Sequence, residues 1–91
     1  MNSALHTTRF HVWWEHLDGA TGKLVRSTKE FRRKEEAALF IRKTPHLTSH
    51  GAAGCYSLTE SKEVARDGKT RTTTVQQDIW TFHEVAQMCR G

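Results

Sequence analysis

The stretch "RFHVWWEHLDGATGKLVRSTKEF", Arg9 to Phe31, decides the reading of this chain. Two runs with strand-like alternation flank the turn-rich segment "DGATGK", the pattern of a β-hairpin. If Leu17 opposes Leu24, then Phe10, Val12, Trp14, Val25 and Phe31 share one face. Side chains alternate across a strand, so Trp13 must point to the other face, among Glu15, Arg26, His11 and Glu30. One tryptophan is thus assigned to a core and its neighbour requires a different environment.

After Phe31, "RRKEEAALFIRKTP" places Ala37, Phe40 and Ile41 at helical spacing, with Arg42 and Lys43 suited to the negative end of the helix dipole and Pro45 as its stop. Leu39 falls away from the apolar stripe and points outward. The segment Thr44–Gly54 reads as a loop. A second hairpin then follows in "CYSLTESKEVARDGKTRTTTVQQDIW", where Asp67-Gly68 is a type I′ signal. Placing Arg66 opposite Lys69 sets Tyr56 against Ile79, Leu58 against Gln77 and Glu60 against Val75. This register gathers Tyr56, Leu58, Val75 and Ile79 with the first-hairpin core residues and leaves Ser57, Thr59, Ser61, Thr72, Thr74 and Gln76 on the polar side. Cys55 then faces Trp80 on that same side, which makes Trp80 a second outward tryptophan.

The chain ends in "TFHEVAQMC", a capping box at Thr81–Glu84 followed by Phe82, Val85, Ala86 and Cys89 at i, i+3, i+4, i+7. The expected fold is α+β, a two-layer ββαββα arrangement with an antiparallel sheet of two hairpins, a packed central helix and a short C-terminal helix. Residues 1–8 are expected as an N-terminal tail and 9–91 as one domain. The terminal helix either covers Trp13, Trp80 and Cys55 on the second face or leaves them for a second copy of the chain.

Ninety-one residues, 36% hydrophobic and 26% charged, suit one modest core, and no run approaches the ~20 apolar residues of a membrane span. The opening "MNSALHTTRF" has no charged region followed by an apolar stretch, so the expected compartment is the cytoplasm. Two cysteines, Cys55 and Cys89, are read as free thiols rather than a disulfide scaffold. His46, His50 and Cys55 are spaced like ligands around a loop but lack the second ligand pair of a zinc site, so no metal or other cofactor is expected. No G-x-S-x-G, H-E-x-x-H, phosphate-cradling glycine loop or paired-carboxylate pattern is present, and the expectation is a non-enzyme with no catalytic residues.

Two functional readings remain. In the first, Trp13, Trp80, Leu39 and the terminal-helix residues Phe82, Val85 and Cys89 form a protein interface, serving a homodimer or another protein. In the second, the net charge of +4 reflects nucleic-acid binding by Arg32, Arg33 and Lys34 at the first helix start and Arg66, Lys69 and Arg71 at the second hairpin tip.

The stretch from Phe10 to Lys43, a hairpin whose last strand ends in Phe before "RRKEEAALFIRK", resembles a pattern found among small bacteriophage-encoded proteins. That resemblance implies an accessory protein that binds and modulates a host or phage component. It assigns no functional residue.

Overall fold

A computed structural model describes residues 5–90. The element order is β1 (Leu5–Leu17), β2 (Leu24–Phe31), α1 (Lys34–Arg42), β3 (Ala53–Val64), β4 (Thr70–Trp80) and α2 (Phe82–Cys89), the expected ββαββα α+β arrangement. All four strands form one antiparallel sheet in the order β2-β1-β3-β4. β1 begins at Leu5, ahead of the expected start at Arg9. Residues 5–8 of the expected tail pair with Thr59–Lys62, and residues 1–4 lie outside the described residues.

The first hairpin has the expected register, with Leu17 opposite Leu24 and Phe10 opposite Phe31. Asp18 sets its turn: its carboxylate accepts from the Ala20 amide at 3.0 Å and the Thr21 hydroxyl at 3.1 Å. Those two bonds hold the Asp18 carboxyl below its usual range.

The second hairpin departs from expectation in two places. Val64 pairs with Thr70, Leu58 with Gln76 and Tyr56 with Asp78, one residue out of the expected register. The loop is responsible. The Ala65 amide bonds to Lys69 O at 2.8 Å and the Gly68 amide to Ala65 O at 2.9 Å, enclosing three residues, with Gly68 at φ 84°. This is the turn in which a left-handed glycine closes a G1 bulge, not the two-residue type I′ turn. At the other end the pairing shifts between Cys55 and Tyr56, so that Cys55 does meet Trp80, as expected, while Ile79 is left without a partner on β3.

That register corrects the assignment of faces. Val12 is opposite Cys55, Phe10 opposite Ser57 and Trp14 opposite Ala53, so the core side of β3 consists of Ala53, Cys55 and Ser57, all buried. Tyr56 and Leu58 lie on the other face beside His11 and Arg9. Val75 is 57% exposed, and neither it nor Val25 joins the core. The displaced strand side chains are replaced by small residues, which let the helices approach the sheet closely, and by Leu47, Val85 and Cys89 from outside the sheet.

Both helices pack on this one face. Val12, Ala37, Ile41, Leu47, Ala53, Cys55, Val85 and Cys89 form the buried cluster, with Phe10, Trp14, Phe31, Phe40, Ile79, Trp80 and Met88 packed around it. Phe40 stands between Trp14 and Phe31 at centroid distances of 5.6 and 5.4 Å. The bulge explains how consecutive residues Ile79 and Trp80 both reach the same side, since a bulge breaks strict alternation. Trp80 is therefore a core-side residue, not an outward tryptophan, and Lys34 Nζ lies 5.6 Å from its ring centre.

α2 starts with the expected capping box: the Glu84 amide donates to Thr81 Oγ1 at 3.3 Å and the Thr81 amide donates to Glu84 Oε1 at 3.2 Å. Its far end is tied to α1 by Cys89, whose thiol donates to Ile41 O at 3.6 Å and Thr44 O at 3.5 Å. Among the described residues no helix is long and apolar enough to cross a membrane.

Candidate interaction face

With both helices on one side, the opposite face of the sheet has no second layer among the described residues. Alternation along the paired strands places Arg9, His11, Trp13 and Glu15 of β1 there, flanked by Arg26, Thr28 and Glu30 of β2 and by Gly54, Tyr56, Leu58 and Glu60 of β3. Asp78, Gln76 and Thr74 of β4 complete it.

Trp13 is the centre of this face. It pairs across the strand with Gly54, and a Cβ at Gly54 would stand 2.8 Å from Trp13 Nε1, so the missing side chain is what allows the indole to sit there. Arg26 closes the other side, its guanidinium carbon 4.2 Å from the ring centre, within the range of cation–π attraction. Next along the strands, His11 stacks on Tyr56 with centroids 5.1 Å apart and planes 13° apart. Arg9 reaches Glu30 at 3.8 Å, a surface ion pair that contributes little to stability but orients both side chains. Between them lies a hollow of about 360 Å³ lined by Thr7, Arg9, His11, Glu30, Leu58, Glu60 and Thr74.

At the other end, Glu15 clips the α1–β3 connection to β1: its carboxylate accepts from the Ala52 amide at 2.8 Å, and its own amide donates to Ala52 O at 2.8 Å. Leu47, only 2% exposed, anchors the same connection from the core side. These two contacts fix where β3 begins and hence where Gly54 meets Trp13.

The face is not basic. Its strands carry Arg9, Arg26 and Lys62 against Glu15, Glu30, Glu60 and Asp78, so the chain's positive excess resides elsewhere. The two basic clusters expected as phosphate contacts are exposed but lie far apart. Lys34 sits at Trp80, opposite Cys55, whereas Arg66, Lys69 and Arg71 flank the tip beyond Val64. Nine residue-to-residue steps of extended strand lead from Cys55 to Val64, roughly 30 Å.

The residues expected to form one protein interface are likewise divided. Trp13 is on the open face, while Trp80 is on the helical side. Val85 and Cys89 are core residues at 0% and 9% exposure, and only Leu39 and Phe82, at 52% and 46%, project from the helical layer. What the residue pattern did not reveal is the company of Trp13: Arg26, Gly54, and the His11–Tyr56 stack. The segment to Gly54 was read as loop, whereas β3 begins at Ala53 and takes Gly54 into the strand, where a glycine commonly marks a close approach by another group.

Both thiols are free and buried. Burial raises the Cys55 thiol to about 11, against a smaller opposing influence from Lys34, and burial also pushes Cys89 up. Neither is an activated nucleophile. Among the described residues no three His, Cys, Asp or Glu side chains gather as a metal site, and His46 and His50 border a hollow shared with Trp14 and His16 without forming a ligand set.

These features define an α+β domain with helices on one side of an antiparallel sheet and an aromatic, mixed-charge surface on the other. No family profile matches the chain, and no curated protein or solved structure matches it.

Proposed function

We propose that this protein is a non-enzymatic binding module that docks a protein partner on the open face of its sheet, with Trp13 at the centre. The observation that supports this reading is the absence, among the described residues, of a second layer over a face that carries Trp13, Tyr56, His11 and Leu58 within a rim of both charge signs. A tryptophan backed by a guanidinium is the kind of preassembled aromatic anchor around which interface energies concentrate. Phosphate-backbone binding would call for a positive excess on this face, and the acidic residues outnumber the basic ones there. The resemblance over Phe10–Lys43 makes a host or phage protein the expected class of partner, and two buried free thiols suit the reducing cytoplasm.

The test is site-specific photo-crosslinking in the native cell, with the reactive group introduced in turn at Thr28, Leu58 and, on the helical side, Glu36. One protein adduct shared by Thr28 and Leu58, absent from Glu36 and lost with Trp13→Ser, is the expected result. Adducts removed by nuclease, or formed equally from Glu36, would overturn the reading.

A further inference from the structure

The two edges of the sheet differ in how they are protected. β2 carries Arg26, Lys29 and Glu30 along its eight residues, the charged dressing that keeps an edge from pairing with another chain. β4 is eleven residues long, and from Thr72 to Gln77 it reads TTTVQQ, with no charge, proline or glycine. Uncharged, β-favouring edges of this kind are templates for strand addition.

The hydrogen-bond pattern states which groups β4 offers. The Ala65 amide bonds to Lys69 O, and Ser57 Oγ donates to Gln77 O at 3.5 Å, so the odd residues of β4 face β3. Antiparallel ladders alternate, which turns the amides and carbonyls of Thr72, Thr74, Gln76 and Asp78 toward the free edge.

We infer that β4 pairs with β4 of a second copy of this chain, antiparallel about a two-fold axis through Val75, to form a continuous eight-stranded sheet. A two-fold perpendicular to the sheet preserves its faces, so even residues must oppose even ones. Centring on Val75 sets Thr74 against Gln76 and Thr72 against Asp78 of the second copy, using every outward group between them. It also places the two Val75 side chains, each 57% exposed in the single chain, directly opposite one another in a non-hydrogen-bonded pair, where side chains come closest. The charges agree with this occupant: Asp78 and its copy are six residues out of line, roughly 20 Å apart, beyond the distance at which exposed like charges repel appreciably. This inference concerns the sheet edge and stands independently of the partner proposed for the open face.

Light scattering of the full chain across a concentration series should show the mass rising from 10.4 kDa to twice that value. Thr74→Pro removes an amide that the intramolecular ladder does not use, so it should give a monomer with an unchanged circular-dichroism spectrum. Val75→Cys under mild oxidation should yield a covalent dimer, because directly opposed residues in a non-hydrogen-bonded pair lie within disulfide reach. Thr73→Cys, facing Gln77 of the second copy, should not. Cys55 and Cys89 are buried and give no such product. A mass that stays at 10.4 kDa while Val75→Cys remains uncrosslinked overturns the inference, as do masses climbing beyond two chains, which would signal β4 joining β2. Cross-linking through Thr73→Cys instead would overturn the register.

Discussion

Trp13 and Gly54 face each other across β1 and β3, and the glycine's missing Cβ is the space the indole occupies: an added carbon would lie 2.8 Å from Nε1 and 2.9 Å from Cε2. The open face is thus organised around a residue that contributes no side chain. Gly54→Ala must push Trp13 off β3 and disturb its packing against Arg26 on the other side. We expect a cost of ~1–2 kcal/mol in thermal or denaturant unfolding, of the size seen for overpacked sites. Tryptophan emission should shift to the red, and a partner captured through the open face should bind more weakly.

The neighbouring tryptophans separate by stability. Trp14 packs on Phe40 within the helical layer, and Trp14→Ala should cost ~3–5 kcal/mol, enough to unfold a domain of this size. Trp13→Ala, on a face open to solvent, should cost about 1 kcal/mol, the scale of a cross-strand contact. Urea titrations of both variants measure the difference. An equal loss from the two would mean that the open face is covered.

Cys55 supplies a pH dependence with a defined sign. Its thiol is raised from 9.0 to about 11 by burial, so the folded state holds the neutral form more tightly than the unfolded chain does. The associated stability is complete below pH 9.0 and is lost as pH rises through about 11. Comparing wild type with Cys55→Ala by urea unfolding at intervals over that window should show the wild type losing stability faster. At neutral pH both thiols should resist an aromatic disulfide reagent until the chain unfolds, because Cys55 and Cys89 are buried.

Gly68 holds a left-handed backbone at φ 84° in the three-residue loop of the second hairpin. Gly68→Ala meets no neighbouring atom, so its cost is conformational, about 1 kcal/mol. The melting temperature should fall accordingly. Gly68→Asn should recover part of the loss, since asparagine tolerates this region better than alanine.

What the sequence determined by itself was whatever depends on short separations. The Leu17–Leu24 register follows from alternation around a nearby turn. Leu39 points outward because α1 has a fixed period, and Thr81 caps α2 because Glu84 is three residues away. From these came the element order and the α+β class. The faces of the second hairpin were decided by tertiary structure. Three loop residues, where two were read from Asp67-Gly68, displaced β4 by one position, and with a side-chain period of two that slip undid the apolar grouping of Tyr56 and Leu58 with Val75. The bulge at Ile79 then returned Trp80 to the core side. Which face of β3 meets the helices depended on β1 pairing with β3 across more than forty residues of sequence, with Val12 opposite Cys55. Small residues at Ala53, Cys55 and Ser57 give the helices room there, whereas Tyr56 and Leu58 would not, and that packing preference appears only once two helices compete for one side of the sheet.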